Sequence, residues 1–332
     1  MESISQTMIN IPGLGIMPTL SGLVPLLKCS DGVFTAGKQG VVSILATADQ
    51  KVEFIILEGG ALAFIRSSMG YPAYYPVYPV QIQKPIRAVL MDLDGTTVHS
   101  EEFWMSMIRM TTASMRGDPS FALKEEDLPF VSGHSVSEHL QYCIQKYCRG
   151  KSLEEARAIY FTHTQRELEE ITHKGGKTDA FKPAHGVRQF LLELKRMDIK
   201  IGLVTSGLYE KAWPEILSAF RAMELGDPCD FYDVIISAGF PLRKGRVGTL
   251  GELSSKPHPW LYAETLRVGL GISFKERHSV VGIEDSGAGI CSIRLAGISA
   301  IGMTGGNIVE SGTRWLCNHF CSSFKEILNF IG

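Results

Sequence analysis

Beyond residue 86, the hydrophobic and polar positions alternate between short apolar runs and amphipathic stretches. Runs of four to six residues have the length and β-branched content of buried strands; they lie at 86–91, 199–204, 233–236, 279–283 and 298–301. Apolar residues at helical spacing lie between most of these runs, at about 186–197, 209–222, 259–269 and 287–296. This alternation predicts an α/β fold with a doubly wound parallel sheet.

The first two predicted strands are separated by about 100 residues, which is too long for one crossover connection. Two capping boxes, Ser135–Glu138 and Ser152–Glu155, each precede apolar residues at helical spacing. We therefore expect an α-helical cap at 98–182, inserted into a core formed by residues 84–97 and 183–332.

Residues 1–83 have a different composition from the rest of the chain. They hold nine charged side chains, whereas the whole chain has 33 basic and 35 acidic ones. Apolar runs at 40–47, 51–57 and 61–65 predict short strands, and the Tyr/Pro-rich stretch 71–79 predicts an extended linker. We expect an accessory, β-rich segment that contributes no recognisable chemistry, so that a chain beginning near residue 83 keeps the active site.

Composition and charge narrow the class of protein. With 332 residues, 45% hydrophobic and 20% charged, and a net charge of -2, the chain has no overall attraction to nucleic acid or to an anionic membrane. No apolar run approaches the roughly 20 residues of a membrane helix, and the N-terminus lacks the basic residues of a secretory signal. Seven dispersed cysteines without a CxxC pair indicate reduced thiols, no disulfide and no structural zinc. We expect a cytoplasmic protein; its oligomeric state is not indicated.

Carboxylates follow two of the predicted strands, at the end where open α/β sheets bind ligands. Asp92 and Asp94 follow the first strand. Their spacing suits the binding of a metal, and it also suits a pair in which one carboxylate is the nucleophile and the other the acid/base. An Asp-x-Asp pattern also occurs in ordinary turns. Glu284 and Asp285 follow the fourth strand and open a helix. Four carboxylates at one sheet edge repel each other unless a cation lies among them, and hard oxygen ligands favour Mg²⁺.

Two further segments offer groups for an anion. Thr205, Ser206 and Gly207 end the second strand with hydroxyls and backbone amides that can hold phosphate oxygens, unless they form a simple turn. Lys256 lies just before a predicted helix and can neutralise an anion, although a single lysine is more often solvated. Together with the carboxylates, these segments are a strong signal for one site.

The motifs, in the order in which they occur along the chain, resemble those of the haloacid dehalogenase superfamily of phosphotransferases. They read Asp92-Leu-Asp94-Gly95-Thr96, Thr205-Ser206, Lys256-Pro257 and Glu284-Asp285-Ser286. The resemblance covers about residues 86–332, and the Gly-Ile-Glu-Asp-Ser-Gly-Ala-Gly form of the last motif is similar to the branch that contains β-phosphoglucomutase and sugar-phosphate phosphatases.

The resemblance implies a role for each motif residue. Asp92 is then the nucleophile that takes up the phosphoryl group, and Asp94 is the acid/base. Thr205 and Lys256 hold the transferring phosphoryl oxygens. The implied substrate-binding residues are Gly95, Thr96, Ser206, Gly207 and His134, and the implied Mg²⁺ ligands are Asp92, Asp94 through its carbonyl, Glu284 and Asp285. The implied enzyme is a Mg²⁺-dependent phosphatase that acts on a small phosphomonoester, such as a sugar phosphate, through an aspartyl-phosphate.

Two alternatives for the function stay open. A sugar-phosphate mutase on the same scaffold needs a second cationic site, which β-phosphoglucomutases supply with a cap Arg and a Ser-Lys pair. Val136 and the pair Gly207-Leu208 stand at those places here, which favours a phosphatase. A non-catalytic binding protein is disfavoured because every motif residue is present.

Two features outside the motifs also have two interpretations. His134 follows a glycine at the start of a predicted cap helix, and it either contacts substrate or is an ordinary cap residue. The loop Arg243–Arg246 is either solvent-exposed or attracts an anionic substrate to the crevice.

Overall fold

The computed structural model describes residues 8–18, 22–66, 71–127, 136–173, 180–237 and 253–332. The chain divides into two compact units. The first unit comprises residues 1–97, 184–212 and 227–332, and the second comprises residues 98–183 and 213–226. The domain boundaries expected from the sequence stay predictions.

The N-terminal part of the first unit consists of two antiparallel sheets. A hairpin joins β1 (Met8–Ile11) and β2 (Gly15–Pro18). The second sheet is a five-stranded meander, in which the strands lie side by side in the order of the sequence. They are β3 (Val24–Leu26), β4 (Val41–Ala46), β5 (Val52–Leu57), β6 (Gly60–Ile65) and β7 (Ala73–Pro76). Strands β4 to β6 lie where the apolar runs predict them, because β-branched and aromatic residues favour a half-buried pleated surface.

The stretch 71–79 is not wholly a linker, because part of it is the edge strand β7. Ala73 pairs with Ile65 and Pro76 pairs with Leu62 on β6. Proline is compatible with an edge strand, since one side of such a strand has no ladder partner. The prolines that suggested an extended linker are therefore consistent with a strand at the border of a sheet.

The remaining elements follow from residue 88 onward. The strands are β8 (Ala88–Asp92), β9 (Val98–His99), β10 (Lys182–Pro183), β11 (Lys200–Thr205), β12 (Val234–Ser237), β13 (Val280–Glu284), β14 (Ser299–Met303) and β15 (His319–Cys321). The helices are α1 (Glu101–Arg116), α2 (Val136–Tyr147), α3 (Leu153–Thr172), α4 (Val187–Arg196), α5 (Tyr209–Met223), α6 (Pro228–Phe231), α7 (Trp260–Glu264), α8 (Gly287–Leu295) and α9 (Phe324–Ile331). A π-turn over Thr265–Gly269 continues α7, and short 3₁₀ turns cover Glu125–Asp127, Phe274–Ser279 and Thr313–Leu316.

A six-stranded parallel sheet forms the centre of the first unit. Its spatial order is β12-β11-β8-β13-β14-β15, so the chain runs outward from β8 on one side and then crosses to the other. This is a doubly wound α/β fold, and the predicted fold class is confirmed. The five predicted strands of this sheet are confirmed to within two residues, whereas β15 and α9 were not predicted.

The N-terminal meander and the parallel sheet share one hydrophobic core. Phe54 and Ile56 on β5 lie in the same buried cluster as Ile290 and Ile293 of α8. The opposite face of the meander has its own small cluster, in which Ile55 packs with residues of neighbouring strands and of the β3–β4 connection. Side chains that alternate along β5 are thus buried on both faces, and the accessory segment is packed against the α/β sheet as an additional layer.

The second unit is helical, with α1, α2 and α3 packed on one another. Ser152 caps α3, because its hydroxyl accepts a hydrogen bond from the Glu155 amide. Buried Asp127 accepts hydrogen bonds from Tyr142 and Tyr147 and pairs with Lys146 at 2.7 Å. The predicted helices of the inserted segment are therefore present, while the capping box that begins at residue 135 is not wholly within the described residues.

Two predictions about the whole chain concern cysteines and membranes. All seven cysteines are free. Among the described residues, no helix has both the length and the apolar content needed to cross a bilayer.

Candidate active site

The topology of the parallel sheet brings three predicted site segments to one edge. Asp92 is the last residue of β8, and β8 lies between β11, which ends at Thr205, and β13, which ends at Glu284. Val204 on β11 lies opposite Asp92 in the register. The carboxyl ends of adjacent parallel strands meet at one edge, so residues about 190 positions apart in the chain become neighbours.

Three carboxylates meet at this edge. Asp92, Glu284 and Asp285 each offer one oxygen, and these oxygens all lie within 4.8 Å of one another. Asp92 is 6% exposed and Glu284 is fully buried. The side chain of Asp94 is not a member of this group, although it lies only two residues after Asp92 and is partly exposed. The site therefore has a buried acidic centre, formed by Asp92, Glu284 and Asp285, and one further carboxylate, that of Asp94, which lies closer to solvent.

Lys256 lies in the middle of the acidic centre. Its Nζ forms ion pairs with Asp92 Oδ1 and, at 2.6 Å, with Glu284 Oε1, and its side chain is only 7% exposed. The same ammonium donates to the Val204 carbonyl at 3.3 Å, while the Lys256 amide donates to Ser206 Oγ at 3.2 Å. Both ends of the lysine are therefore attached to the end of β11 or to the carboxylates beside it.

Glu284 is held by donors on both of its oxygens. The Tyr262 hydroxyl donates to Oε1 at 3.0 Å, and the Ser286 hydroxyl and amide donate to Oε2 at 2.9 and 3.3 Å. A Cβ atom added at Gly289, one turn into α8, would overlap this carboxylate. The glycine therefore leaves the space in which Glu284 folds back towards Lys256.

The loop after β8 is shaped around Asp285. Gly95 has a φ of +81°, and a Cβ at this position would overlap the Asp285 carboxylate. The Thr96 hydroxyl donates to Asp285 Oδ1 at 3.2 Å, and the Thr97 hydroxyl donates to the Asp92 carbonyl. A left-handed glycine without a side chain is thus required where the loop passes the carboxylate.

The end of β11 forms a compact turn. Thr205 is buried, and its hydroxyl accepts a hydrogen bond from the Gly207 amide at 2.9 Å. Because Ser206 accepts from the Lys256 amide, this turn also fixes the lysine-bearing segment. The turn interpretation and the binding interpretation of these residues are compatible, since a turn that is held in place can still present donors to an anion.

Burial and mutual repulsion determine the ionisation of the carboxylates. Burial, followed by the charge of Glu284, raises the pKa of Asp92 well above its usual range, although Lys256 opposes this rise. Burial and the charge of Glu284 also raise the pKa of Asp285 to about 7. Burial alone would lower the pKa of Lys256, but the charges of Asp92 and Glu284 raise it overall, so the lysine stays protonated.

The donor set fits a divalent metal ion. Three buried carboxylates face one ammonium group, so the fully ionised centre carries an excess of negative charge in a medium of low dielectric. The raised pKa values of Asp92 and Asp285 express this excess. Oxygen ligands of this kind suit Mg²⁺.

The structure leaves some predicted site residues undescribed and adds others that were not predicted. His134 and the loop Arg243–Arg246 fall outside the described parts of the chain. Conversely, two residues that were not predicted support the acidic centre: Tyr262 contacts the Glu284 carboxylate, and Thr97 contacts the backbone carbonyl of Asp92. Tyr262 lies in a segment with an ordinary helical pattern, and no local signal distinguishes it from a core aromatic.

Residues 86–297 match the family model of haloacid dehalogenase-like hydrolases. No curated protein matches the chain.

Solved structures also match the chain. A Thermotoga maritima protein provisionally assigned as a β-phosphoglucomutase is 23% identical, with a TM-score of 0.53, and the match covers 74% of this chain and 98% of that one. A Haemophilus somnus 129PT protein predicted to be a phosphoglycolate phosphatase is 16% identical, with a TM-score of 0.54 and coverage of 75% and 100%.

A subfamily IA hydrolase of this superfamily from Geobacter sulfurreducens PCA is 17% identical, with a TM-score of 0.53 and coverage of 76% and 100%. At these identities the structures show a common fold. The family model covers well over half of the chain, including all four motifs, and the chain belongs to the haloacid dehalogenase-like hydrolases.

Proposed function

We propose that this hydrolase is a Mg²⁺-dependent phosphatase that acts on a small phosphomonoester, such as a sugar phosphate. The observation that carries the proposal is the position of Asp92: its carboxylate ends the central strand, is nearly buried, and is paired with Lys256 beside Asp285. A carboxylate in this position can act as a nucleophile, and the lysine next to it can balance charge on a phosphoryl group.

The reaction has two displacements at phosphorus. In the first, an Asp92 oxygen attacks phosphorus, the ester P–O bond breaks, and Asp94 gives its proton to the leaving alcohol. In the second, Asp94 takes a proton from water, the water oxygen attacks phosphorus, and the bond to Asp92 breaks to release inorganic phosphate. The partly exposed position of Asp94 supports its acid/base role, since it must exchange protons with solvent.

The other polar groups orient the phosphoryl group and balance its charge. Lys256 carries the positive charge nearest to the nucleophile, and Thr205, Ser206 and the Gly207 amide lie on the adjacent strand end. Asp92 and Asp285 would hold Mg²⁺, together with the Asp94 carbonyl, and the bound ion would supply further positive charge for the transferring oxygens. Since both oxygens of Glu284 accept hydrogen bonds, we assign it chiefly to holding Lys256.

A screen of phosphorylated metabolites tests the proposal. With Mg²⁺ present, at least one small phosphomonoester is expected to release inorganic phosphate, and a chelator is expected to abolish that release reversibly. Asp92→Asn keeps the shape of the side chain but removes the nucleophile, so its turnover should fall by about four orders of magnitude or more. Turnover close to wild type in the folded variant would contradict the aspartyl-phosphate mechanism.

An assay with a sugar phosphate distinguishes hydrolysis from transfer of the phosphoryl group between two positions of the sugar. The chain has Leu208, an exposed apolar side chain, in the place of the mutase lysine, and Val136 in the place of the cap arginine. With β-glucose 1-phosphate and a trace of the 1,6-bisphosphate, we expect free phosphate rather than glucose 6-phosphate to accumulate. Rapid isomerisation with little phosphate release would reject the phosphatase in favour of a mutase.

A further inference from the structure

A tyrosine of the N-terminal sheet contacts the segment that carries Lys256. The hydroxyl of Tyr75, on the edge strand β7, lies 2.8 Å from Nδ1 of His258 and accepts a hydrogen bond from Nε1 of Trp260 at 3.1 Å. The three rings also meet edge to face, with the Tyr75 centroid 5.8 Å from that of His258 and 5.9 Å from that of Trp260. One side chain from outside the α/β sheet thus connects two residues that lie two and four positions after Lys256.

In one arrangement of donors and acceptors, both the oxygen and the proton of the Tyr75 hydroxyl take part in a hydrogen bond. The Trp260 indole can only donate, so the Tyr75 oxygen accepts, and its own proton is then available to the His258 ring. Burial lowers the pKa of His258 and so favours the neutral ring; we assign this ring the Nε2–H tautomer, in which Nδ1 accepts the Tyr75 proton. Nε2 of this ring is buried without a hydrogen-bond partner among the described residues, so Tyr75 supplies the hydrogen bond that orients the ring.

His258 is also anchored from a second direction. Its carbonyl accepts a hydrogen bond from Ser292 on α8 at 2.6 Å, and its side chain is 2% exposed. Two residues earlier, the amide of Lys256 donates to Ser206 at the end of β11. The short segment from Lys256 to Trp260 is therefore attached to three elements: β11, α8 and, through Tyr75, the N-terminal sheet.

We propose that Tyr75 is a positioning residue of the active site: through His258 and Trp260 it holds the segment that places the Lys256 ammonium between Asp92 and Glu284. The assignment rests on the proposed role of Lys256 in binding the phosphoryl group. It gives the N-terminal sheet a part in the reaction although this sheet contributes no group to the acidic centre.

The neighbouring residue on the same strand provides a matched control. Successive side chains of a strand point to opposite faces, and the hydroxyl of Tyr74 donates to Asp31 on the other face of the meander. The Tyr74 ring packs there against Phe34 and Phe64, in the small outer cluster. Tyr74→Phe and Tyr75→Phe therefore each remove one tyrosine hydroxyl from β7, but only the second removes a contact with the lysine-bearing segment.

The first measurement compares the steady-state kinetics of the two variants on a substrate of the wild-type enzyme. Tyr75→Phe is expected to lower kcat/KM by about threefold to tenfold, the effect of losing one well-placed hydrogen bond, mainly through kcat. Tyr74→Phe is expected to stay within about twofold of wild type. Equal kinetics for Tyr75→Phe and wild type, or equal losses in both variants, would overturn the proposal.

A second measurement does not depend on turnover. Lys256 is nearly buried, so acetic anhydride should label it slowly, as read by mass spectrometry of peptides; Lys195, which pairs with Asp233 at 2.9 Å and has a side chain that is 36% exposed, serves as reference. In Tyr75→Phe the labelling of Lys256 relative to Lys195 should rise by about threefold or more, and in Tyr74→Phe it should not change. Unchanged labelling in both variants would reject the positioning role. If Tyr75→Phe increased the labelling of Lys256 but the wild-type protein hydrolysed no phosphomonoester, the positioning role would be retained and the proposed function rejected.

A double-mutant cycle identifies the route. If Tyr75 acts through the His258 ring, Tyr75→Phe in a His258→Gln background should lower kcat/KM by less than about twofold further. Full additivity of the losses both in this background and in a Trp260→Phe background would show that Tyr75 affects the reaction by another route and would overturn the proposal.

Discussion

The ionisation of Asp285 makes the stability of the acidic centre depend on pH. Burial and the charge of Glu284 raise the pKa of Asp285 to about 7. The folded chain therefore holds a proton on this carboxyl that the unfolded chain releases near its ordinary value of 3.8. A raised carboxyl pKa stabilises the fold at low pH, and this contribution is lost as pH rises towards 7.

We predict that Mg²⁺ raises the melting temperature more at pH 8 than at pH 5.5. The ion binds ionised carboxylates, so at pH 8 it relieves a repulsion that at pH 5.5 is already reduced by the proton on Asp285. At saturating Mg²⁺ the rise at pH 8 should be about 5 °C or more, measured by thermal unfolding across a pH series.

Asp285→Asn is the matching variant, because it removes the charge and keeps the size of the side chain. In the absence of Mg²⁺ it should melt at pH 8 no lower than wild type, since the repulsion from Glu284 is gone, and its response to Mg²⁺ should be strongly reduced. An equal response to Mg²⁺ at both pH values, in wild type, would contradict the role of Asp285.

The residues of the site differ in how far a sequence can predict them. Asp92 and Glu284 are predictable because each directly follows an apolar run that predicts a strand, and parallel strands bring their carboxyl ends together. Tyr75 is not predictable, because its partner His258 is 183 positions away and neither residue has a local pattern that distinguishes it. Local patterns identify strand ends, whereas contacts between layers depend on tertiary packing.

Helix α8 connects the acidic centre with the N-terminal hairpin. Arg294, in its last turn, is 4% exposed, and its guanidinium donates to the Leu316 carbonyl at 2.7 Å and to the Gly13 carbonyl at 2.8 Å. Burial lowers the pKa of Arg294 to about 10, so the group remains charged at neutral pH. A cation at this end of a helix is also favoured by the helix dipole.

We predict that Arg294→Met lowers the free energy of unfolding by about 2 kcal/mol, because buried backbone carbonyls lose a charged donor. The measurement is urea unfolding, combined with hydrogen exchange of the β1–β2 hairpin, whose amides should exchange faster. Arg196→Met is the control, since Arg196 pairs with Glu193 on the surface and is 72% exposed. A free energy of unfolding unchanged by Arg294→Met would show that the hairpin does not depend on this residue.

Elements of the α/β sheet are more predictable than those of the N-terminal layer. Strands such as β8 and β13 are continuous apolar runs because both of their faces are buried. Strands β1, β3 and β7 have three or four residues each and lie at or near sheet edges, where exposed positions and prolines weaken the pattern. An edge strand and an extended linker share the same sequence signals, and pairing with β6 distinguishes them only in the structure.

The core that the N-terminal layer shares with the α/β sheet changes the expectation that residues 1–83 can be removed. Phe54, Ile56 and Ile65 lie in one buried cluster with Ile290 and Ile293 of α8. Without the N-terminal layer, α8 would expose apolar side chains to water at about 25 cal/mol for each Å². The helix that begins beside Asp285 would then lack its cover.

We therefore predict that a chain of residues 84–332 is insoluble or melts without cooperativity. The deletion removes apolar packing against α8, and this packing does not require a covalent link between the two parts. Co-expression with a separate fragment of residues 1–83 should therefore restore a soluble complex that releases phosphate. Size-exclusion chromatography, thermal unfolding and the phosphatase assay measure these outcomes. A soluble 84–332 chain that unfolds cooperatively within about 5 °C of the full chain would contradict the prediction, because a shared core cannot be removed at so small a loss of stability. If such a chain also kept full turnover, the N-terminal sheet would be dispensable both for the fold and for the position of Lys256.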